Sequence, residues 1–540
     1  MLLPATILSS GSAFAQTAVD RADPARIERD SVPAPTPEAA PQPEVEVSAA
    51  PDVSGVSGAI EVGAITFAGL QELTPADFAE TITPYLGRSV SAEELSTLAA
   101  RIGEVARAKG LIFASAWIEP QRLTAGILVV QVDEGVIEEV RLAGSTNSAV
   151  ASTLRPLVGK PARLAQVERL LLIAGDIDGV TLYRNRYLRE GKRGILLVDV
   201  VETPQRLRLV LDNDSTSPVG PVQMRVDVDI AQILAADDAL SVTYVTTPLQ
   251  PDELQYTRVR YAKRVGTKGT ELSIGGSVSS ARPGAYLTPL QLNGVSWSGN
   301  VTVLQPLQRT RASNLWIQGS FELRDVEQMR SGIRFRHDRL AALRVSLLGN
   351  RKLLGGTLRI NATVSQGLGV FDATKAGDPM ASRRDADATF TSLTSWADFT
   401  ASLGQGFSVR LAAQSQIASQ PLLVSEEMGL GGGGFLRGYD YSERSGDQGA
   451  SGLVEFRYDW SKPFDLVRKL QLYGFVDGGH VDNKANGFGG GELVSAGGGV
   501  RADVSSTIDF SVEVAIPLSG PRYETGDRSP RINLRLLKVF

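Results

Sequence analysis

Strict alternation of apolar and polar residues dominates the longer, C-terminal part of the chain, from residue 204 to residue 540. It is clearest in the segments 224–230, 358–364 and 508–516, where every second residue is apolar. A period of two residues indicates β-strands whose two faces meet different surroundings. No stretch approaches the roughly 18 uncharged apolar residues that a membrane-spanning helix requires. The chain can therefore cross a membrane only as a closed barrel, in which backbone groups pair between strands.

The alternating region is long enough for sixteen strands, at about 21 residues for each strand with its connection. Its last segment, 532–540, alternates and ends on Phe540, which is typical of outer-membrane barrels, although Lys538 interrupts the pattern. A large soluble β-sandwich or barrel would share the period of two. The membrane barrel is favoured by the charged polar faces of many strands and by an export signal at the N-terminus.

The N-terminus resembles a secretory signal peptide over residues 1–15, because a short apolar run ends in the small-x-small site Ala13-Phe14-Ala15. The positively charged start of such signals is missing, so we expect the true start to lie upstream. Residues 16–58 are polar and proline-rich, which predicts an extended linker. Within this linker, Asp23-Pro24 can begin one short helix over residues 23–30.

Two small α/β units are predicted between the linker and the barrel, over residues 59–136 and 137–203. Each has the element order β-α-α-β-β, and each begins with a related strand end, FAGL at 67–70 and RLAGS at 141–145. Recurrence in a fixed order at this length indicates duplicated modules. In the first unit, Ser91 and Glu94 have the spacing of a capping box at the start of a helix.

Composition excludes several classes of function. The chain contains no cysteine and two histidines, His337 and His480, so disulfides, thiolate sites and multi-histidine metal sites are excluded. A net charge of −5 argues against general nucleic-acid binding. His337 beside Asp338 is the one neighbouring pair that a hydrolase could use, and we interpret it as a loop or lumen pair. We expect no enzyme activity, no catalytic residues, no metal and no cofactor.

The most informative motif is the glycine-rich segment 429–441, GLGGGGFLRGYDY, followed about 40 residues later by GFVDGG (474–479) within an apolar strand. If the loop folds into the barrel lumen, Arg437 can make a bidentate contact with Asp477 on the wall. Gly438 would allow the loop backbone to approach the wall closely, and Tyr439 offers an apolar ring with a polar hydroxyl group. A solvated surface loop is the alternative, whereas a phosphate-binding loop is excluded because no Lys-Ser/Thr follows the glycines.

Two such modules followed by a barrel with an LRGY loop and a GFVDGG strand resemble the TpsB transporters of two-partner secretion, the haemolysin secretion/activation type. The resemblance covers residues 59–540. It implies a mainly β fold in the Gram-negative outer membrane, with a sixteen-stranded antiparallel transmembrane barrel and two periplasmic POTRA (polypeptide-transport-associated) modules. It also implies that the Arg437 loop is the sixth extracellular loop, folded into the pore and held by Asp477.

The same resemblance implies export of an unfolded TpsA-type exoprotein without ATP, with outer-membrane lipid and the barrel-assembly machinery as further partners. The sequence departs from the family at Leu436, where valine is common, and offers only residues 23–30 as a plug helix. Two alternatives remain. A barrel-assembly insertase of the same superfamily would carry three or five modules, and a passive porin or receptor would have no use for two.

Overall fold

The computed structural model describes residues 43–44, 59–123, 125–190, 193–465 and 467–540. The predicted signal peptide and plug helix lie outside the described residues, as does most of the predicted linker. Among the helices of the described segments, none is long and apolar enough to cross a membrane.

The first α/β unit forms around the amphipathic helix α2, whose buried face includes Leu95, Leu98 and Ile102. The predicted capping box begins this helix, because Ser91 Oγ accepts from the backbone N–H of Glu94 and the Glu94 carboxylate accepts from that of Ser91. The elements of the unit are β2 Ile60–Val62, β3 Ala64–Ala68, α1 Ala79–Ile82, β4 Arg88–Val90, α2 Ala92–Ala108, β5 Ser115–Trp117 and β6 Ile127–Asp133.

Asp77 makes this unit sensitive to acid. Its pKa is lowered from 3.8 to about 2, chiefly by a hydrogen bond from Lys109 Nζ at 2.6 Å and then by the Thr74 backbone N–H. A lowered folded-state pKa stabilises the fold above about pH 4, and this stabilisation is lost as pH falls towards 2. We expect the amide protection factors of residues 74–82, corrected for the intrinsic exchange rate at each pH, to fall between pH 4 and pH 2, and Asp77→Asn to flatten that profile. Identical profiles for both proteins would contradict this assignment.

The second α/β unit repeats the order of the first. Its two helices pack on one face of the sheet, with Val167, Leu171 and Ala174 of α4 in the core. Its elements are β7 Val136–Ile137, β8 Glu139–Ala143, α3 Ser148–Leu154, β9 Lys160–Pro161, α4 Leu164–Gly175, β10 Val180–Glu190 and β11 Arg193–Glu202. The strand β1, Pro43–Glu44, runs parallel to β10, so the sheet order is β1-β10-β11-β8.

The two units are joined by an aromatic stack. The ring of Phe113, which follows α2, lies 4.2 Å from that of Tyr187 on β10, and both side chains are buried. Burial raises the pKa of Tyr187 to about 12, and its hydroxyl donates to the Val136 carbonyl oxygen. Arg189 also pairs with Asp133 at 2.8 Å. These contacts fix one unit against the other.

The remaining strands form one closed antiparallel barrel, and sixteen of them lie in the described segments, which confirms the predicted fold class. Their bounds are β12 Gln205–Asp212, β13 Gln223–Ala231, β14 Asp238–Thr246, β15 Gln255–Val265, β16 Thr270–Ala281, β17 Leu292–Arg309, β18 Ser313–Arg330, β19 Ile333–Leu353, β20 Gly356–Leu368, β21 Thr391–Gly404, β22 Phe407–Ala418, β25 Gln448–Phe464, β26 Val467–Asp482, β27 Gly491–Asp503, β28 Ile508–Pro517 and β29 Arg531–Val539. Two short strands, β23 Met428–Leu430 and β24 Arg444–Gly446, pair with each other within one connecting loop.

The alternation in the sequence corresponds to the two faces of the barrel wall. Apolar members such as Ile360 and Val514 remain 43% and 42% exposed on the outer surface, where lipid would cover them. Their polar neighbours face inward, and Asp227 and Glu513 are 8% and 7% exposed. Lys538, which interrupts the pattern, lies with its ammonium 5.2 Å from the ring centre of Phe540. A cation at the end of a strand can contact an aromatic ring in this way without entering the apolar band.

The first and last barrel strands, β12 and β29, close the barrel. The chain enters β12 directly from the second unit, so the connections after β12, β14 and so on lie at the opposite end of the barrel. Numbered in chain order, the connections at that end include loop 1 (213–222), loop 5 (369–390), loop 6 (419–447), loop 7 (483–490) and loop 8 (518–530). The glycine-rich motif therefore lies in the sixth loop.

The second unit docks against the near end of the barrel, at the turn between β17 and β18. Pro306 ends the regular pairing of β17, and the register shifts between Pro306 and Gln308. The shift leaves the carbonyl oxygens of Pro306 and Leu307 free to accept from Arg169 on α4. Arg309, which is 2% exposed, reaches from the end of β17 to the carboxylate of Asp176, just after α4.

Candidate functional site

Loop 6 folds into the barrel, and its tip lies against the inner wall. The backbone N–H groups of Leu436 and Arg437 both donate to one oxygen of Asp477, at 2.9 and 3.2 Å. Ser495 on β27 donates its hydroxyl to the other oxygen. Asp477 is 1% exposed, and its carboxylate accepts two backbone N–H groups of the loop and one hydroxyl of the wall.

Arg437 makes its shortest contacts with two acids that the sequence did not single out. Its Nη1 donates to Glu455 at 2.9 Å and to Glu513 at 2.8 Å, on β25 and β28. Its Nε lies 3.5 Å from Asp477. The predicted bidentate contact between Arg437 and Asp477 is therefore wrong in detail. Asp477 already accepts two backbone N–H groups, and the guanidinium extends past it to the two glutamates.

The guanidinium of Arg437 is also stacked and enclosed. Its central carbon lies 3.3 Å from the ring centre of Phe475, two residues before Asp477 on the same strand. The Tyr473 hydroxyl donates to Glu513 at 2.9 Å, and Arg501 donates to Glu455 at 2.9 Å. Charge-assisted contacts of this kind are strong when water is excluded. The site is thus a buried network in which Arg437 of the loop contacts acids from three strands, β25, β26 and β28.

The other two predicted site residues also contact the wall. Gly438 donates its backbone N–H to Ser495 Oγ at 3.1 Å. The hydroxyl of Tyr439 lies 2.9 Å from Ser519 Oγ and accepts from the Gly520 backbone N–H in loop 8. The structure therefore brings together all four residues of the motif, Arg437, Gly438, Tyr439 and Asp477. Glu455, Glu513 and Ser495 join them, and nothing in the sequence beyond their polar-face positions distinguishes these three.

A Cβ atom at position 438 would meet the wall. It would lie 2.8 Å from Ser495 Cβ and 2.9 Å from the Ile516 carbonyl carbon. We expect Gly438→Ala to lower the free energy of unfolding by about 1–3 kcal/mol, because the wall must move or the loop must detach. Urea titration of the folded barrel in detergent would measure this. The matched change Gly434→Ala, whose Cβ would meet no atom within 4 Å, should leave the midpoint unchanged. Equal urea midpoints for the wild type and Gly438→Ala would contradict the close contact of position 438 with the wall.

Arginines from the wall and from a neighbouring loop fix the base of loop 6. Glu426 accepts from Arg344 on β19 at 2.8 Å, and Arg344 also contacts Glu322 on β18. Arg383 of loop 5 is 6% exposed, and it pairs with Glu427 at 3.2 Å and with Asp447 at 2.7 Å. Loop 6 is therefore held at its tip and at both ends.

His337 and Asp338 do not form a pair. They are neighbours on β19, so their side chains lie on opposite faces of the strand. His337 Nε2 lies 3.1 Å from Asp325, whereas Asp338 accepts from the Ser382 backbone N–H at 2.9 Å. Our interpretation of the two residues as a joint lumen or loop pair is wrong for this reason. Over the described segments, no group of three or more His, Cys, Asp or Glu residues could hold a metal ion.

The fold and the site define an outer-membrane β-barrel with POTRA modules at its periplasmic end. Residues 191–502 match the family described as haemolysin secretion/activation protein ShlB/FhaC/HecB, and residues 60–135 match the ShlB-type POTRA domain. The chain belongs to the ShlB/FhaC/HecB family. It is thus a TpsB-type transporter of the Gram-negative outer membrane, as its motifs suggested.

Individual relatives are distant in sequence. The heme/hemopexin transporter protein HuxB of Haemophilus influenzae is 21% identical over 399 residues, which cover 72% of this chain and 70% of HuxB. The outer membrane transporter CdiB of Dickeya dadantii is also 21% identical, covering 81% of this chain and 79% of that protein. The structure of CdiB from Escherichia coli superposes with a TM-score of 0.72 at 18% identity, covering 99% of this chain and all of that one.

Proposed function

We propose that the chain exports one large exoprotein, in unfolded form, from the periplasm through the barrel to the cell surface. The observation that carries this proposal is a polar barrel lumen in which loop 6 is attached to the inner wall. Two POTRA modules dock at the end of the barrel opposite the base of this loop. A passive porin or receptor would have no use for modules held in that position. HuxB and CdiB, the two named relatives, are both described as transporters.

Capture of the exoprotein would use the modules. An extended segment can add a strand to an exposed sheet edge, where backbone hydrogen bonds give affinity without strict sequence demands. Among the described residues of the second module, β8 is one edge of the sheet, whereas Pro43–Glu44 occupies the other. Glu139 and Arg141 on β8 would favour segments that carry the opposite charge at the facing positions. We assign residues 59–136 and 137–203 to these modules and 204–540 to the conduit.

Export would not need ATP. The sequence carries no nucleotide-binding motif, so the driving force would come from the exoprotein, which folds after it emerges and cannot then return. Arg437, Gly438, Tyr439 and Asp477 would act as the pore-loop lock that keeps loop 6 inside the barrel. Outer-membrane lipid would cover the outer face, and the barrel-assembly machinery would insert the chain by way of its C-terminal strand. The secreted partner would be of the haemolysin or adhesin type.

The deciding experiment compares cells with and without this gene. It measures secretion of the large exoprotein encoded beside it, together with the levels of other outer-membrane proteins. Loss of that exoprotein alone from the medium, with its accumulation or degradation in the periplasm, is the expected result. A broad fall in barrel proteins, with secretion reduced only as a consequence, would instead favour the insertase function.

A further inference from the structure

The contacts of loop 6 divide the lumen unequally. The tip of loop 6, residues 436–440, makes its polar contacts outside the loop with β25–β29 and with loop 8. Asp477, Glu455, Ser495 and Glu513 lie on four of these strands, and Arg531 on β29 donates to the Tyr439 carbonyl oxygen. The loop tip is therefore fixed to one side of the barrel, and the other side is left to the remaining strands.

That other side contains a cavity of about 830 Å³ between loop 6 and the wall formed by β15–β22. Its wall is lined mainly by hydroxyl and amide side chains, such as Ser320, Asn361, Thr363 and Gln414. Such groups can donate to or accept from the backbone of any extended polypeptide. They do so without the strong attachment that charge-assisted hydrogen bonds would give.

The charged residues of this cavity are largely neutralised by one another. Glu322 pairs with Arg324 at 2.6 Å and with Arg344 at 3.2 Å, and Arg344 also pairs with Glu426. Among the described residues, Arg258 is the lining cation without an ion pair, whereas Arg324 and Arg344 are both paired. The cavity therefore offers a polar surface with little net charge, which suits a polypeptide of varied sequence.

Glycines of loop 6 form the facing wall. Gly431, Gly433 and Gly434 all line the cavity. Gly431 needs to be glycine for packing, because its φ is +109° and a Cβ there would lie 2.1 Å from the Asp440 carbonyl oxygen. Gly434 has no such need. Its backbone is outside the left-handed region, and a Cβ there would meet no atom within 4 Å. A side chain at 434 would instead project into the cavity.

We propose that this cavity is the path of the translocating polypeptide, which passes between the glycine face of loop 6 and the β15–β22 wall while the loop tip stays attached to β25–β29. The inference rests on the proposed function, because it assigns the route of the exported chain. It explains the glycine at 434 as a requirement of export, since no described residue of the resting barrel packs against that position. The ligand is an extended, unfolded polypeptide segment, bound through its backbone.

The test narrows the path without disturbing the lock. Gly434→Trp places an indole ring in the cavity from the loop side and narrows it. The matched control is Gly319→Trp on β18, where a Cβ also meets no atom within 4 Å. Gly319 is in register with Val303 and Val345, which are 42% and 51% exposed on the lipid-facing surface. At equal levels of folded barrel, we expect Gly434→Trp to abolish export of the exoprotein and Gly319→Trp to leave it unchanged.

Export by Gly434→Trp at the wild-type level would overturn the assignment of this cavity as the path. The exported chain would then pass only if loop 6 left the lumen. Failure of the wild-type chain to export would refute the proposed function instead. A second measurement is independent of both assembly and export. The chain has no cysteine, so Gly434→Cys and Gly319→Cys can each be folded first and then labelled with a bulky maleimide. KCl conductance in planar bilayers should fall on labelling Gly434→Cys only, and an unchanged conductance would also overturn the path.

Discussion

Replacing Arg437 by alanine is expected to abolish export and to lower the free energy of unfolding of the barrel by about 3–5 kcal/mol. Arg437 is the cation that pairs with Glu513, which is 7% exposed, and it shares Glu455, which is 0% exposed, with Arg457 and Arg501. It also lies beside Asp477, which is 1% exposed. Without the guanidinium, these acids remain buried with less compensation, and removing one partner of a buried pair costs far more than the pair contributes. Loop 6 would then lose its side-chain attachment to Glu455 and Glu513, and its tip would be held only by the remaining contacts, such as those of its backbone with Asp477.

The measurement combines secretion assays with urea titration of the folded barrel in detergent micelles. Arg359→Ala is the matched control, because Arg359 is also a lumen arginine paired with a buried acid. Its side chain is 39% exposed, and its partner Asp398 keeps a second contact with Arg410 at 2.6 Å. We expect the control to change the free energy of unfolding by at most about 1 kcal/mol. Equal changes in the free energy of unfolding for Arg437→Ala and Arg359→Ala would show that Arg437 contributes no more than another lumen arginine.

A double variant separates the loss of charge balance from the loss of the loop contact. Glu513→Gln in the Arg437→Ala background removes one uncompensated charge, so part of the lost stability should return. Export should not return, because the tip of loop 6 still lacks the side-chain contact of Arg437 with the wall. Full recovery of both would mean that charge balance alone matters and that the loop is not held by Arg437.

Local and periodic features of this chain were predictable from the sequence, because their causes are local. Ser91 and Glu94 cap a helix through atoms only three residues apart. The period of two sets the inward and outward faces of each strand, whatever the neighbouring strands are. The sequence also predicts that Arg437 and Asp477 meet, because both lie in short, unusual segments.

The partners of Arg437 were not predictable, because barrel closure and register determine them. Glu455 and Glu513 lie 18 and 76 residues from Arg437 in sequence. Each is an ordinary polar-face residue of an alternating strand, and the sequence holds many of these. Only the staggered pairing of β25 to β28 brings these two to one level of the wall. The pairing of His337 with Asp325 depends on register in the same way.

Replacing Arg309 by alanine is expected to release the second POTRA module from the barrel. Arg309 is among the largest fully buried side chains among the described residues. It makes a two-point contact with the Asp176 carboxylate, donates to Asn314 Oδ1 at 2.6 Å and lies 4.9 Å from the Trp316 ring centre. Bidentate geometry and stacking are specific to arginine, so lysine in Arg309→Lys should hold the module little better than alanine does.

The expected cost at this junction is about 3–5 kcal/mol, since Asp176 would be left largely buried without its cation. Amide exchange of α4 should then quicken in the full chain. Arg311→Ala is the control on the same turn. Glu168 accepts from the Arg311 backbone N–H at 2.6 Å, which the substitution keeps, while the side chains are 3.9 Å apart. We expect this control to leave the exchange of α4 unchanged.

An export assay of the same variants shows whether the junction between module and barrel is needed for secretion. If the modules must present the exoprotein at a fixed position below the lumen, Arg309→Ala should reduce export even though the wall and loop 6 are intact. Asp176→Ala should act like Arg309→Ala, and the double variant should cost less than the sum of the two, because both remove the same contact. Faster exchange of α4 with normal export would mean that the modules only capture the partner. Unchanged exchange would show that other contacts, such as that of Arg169 with the Pro306 carbonyl oxygen, hold the module by themselves.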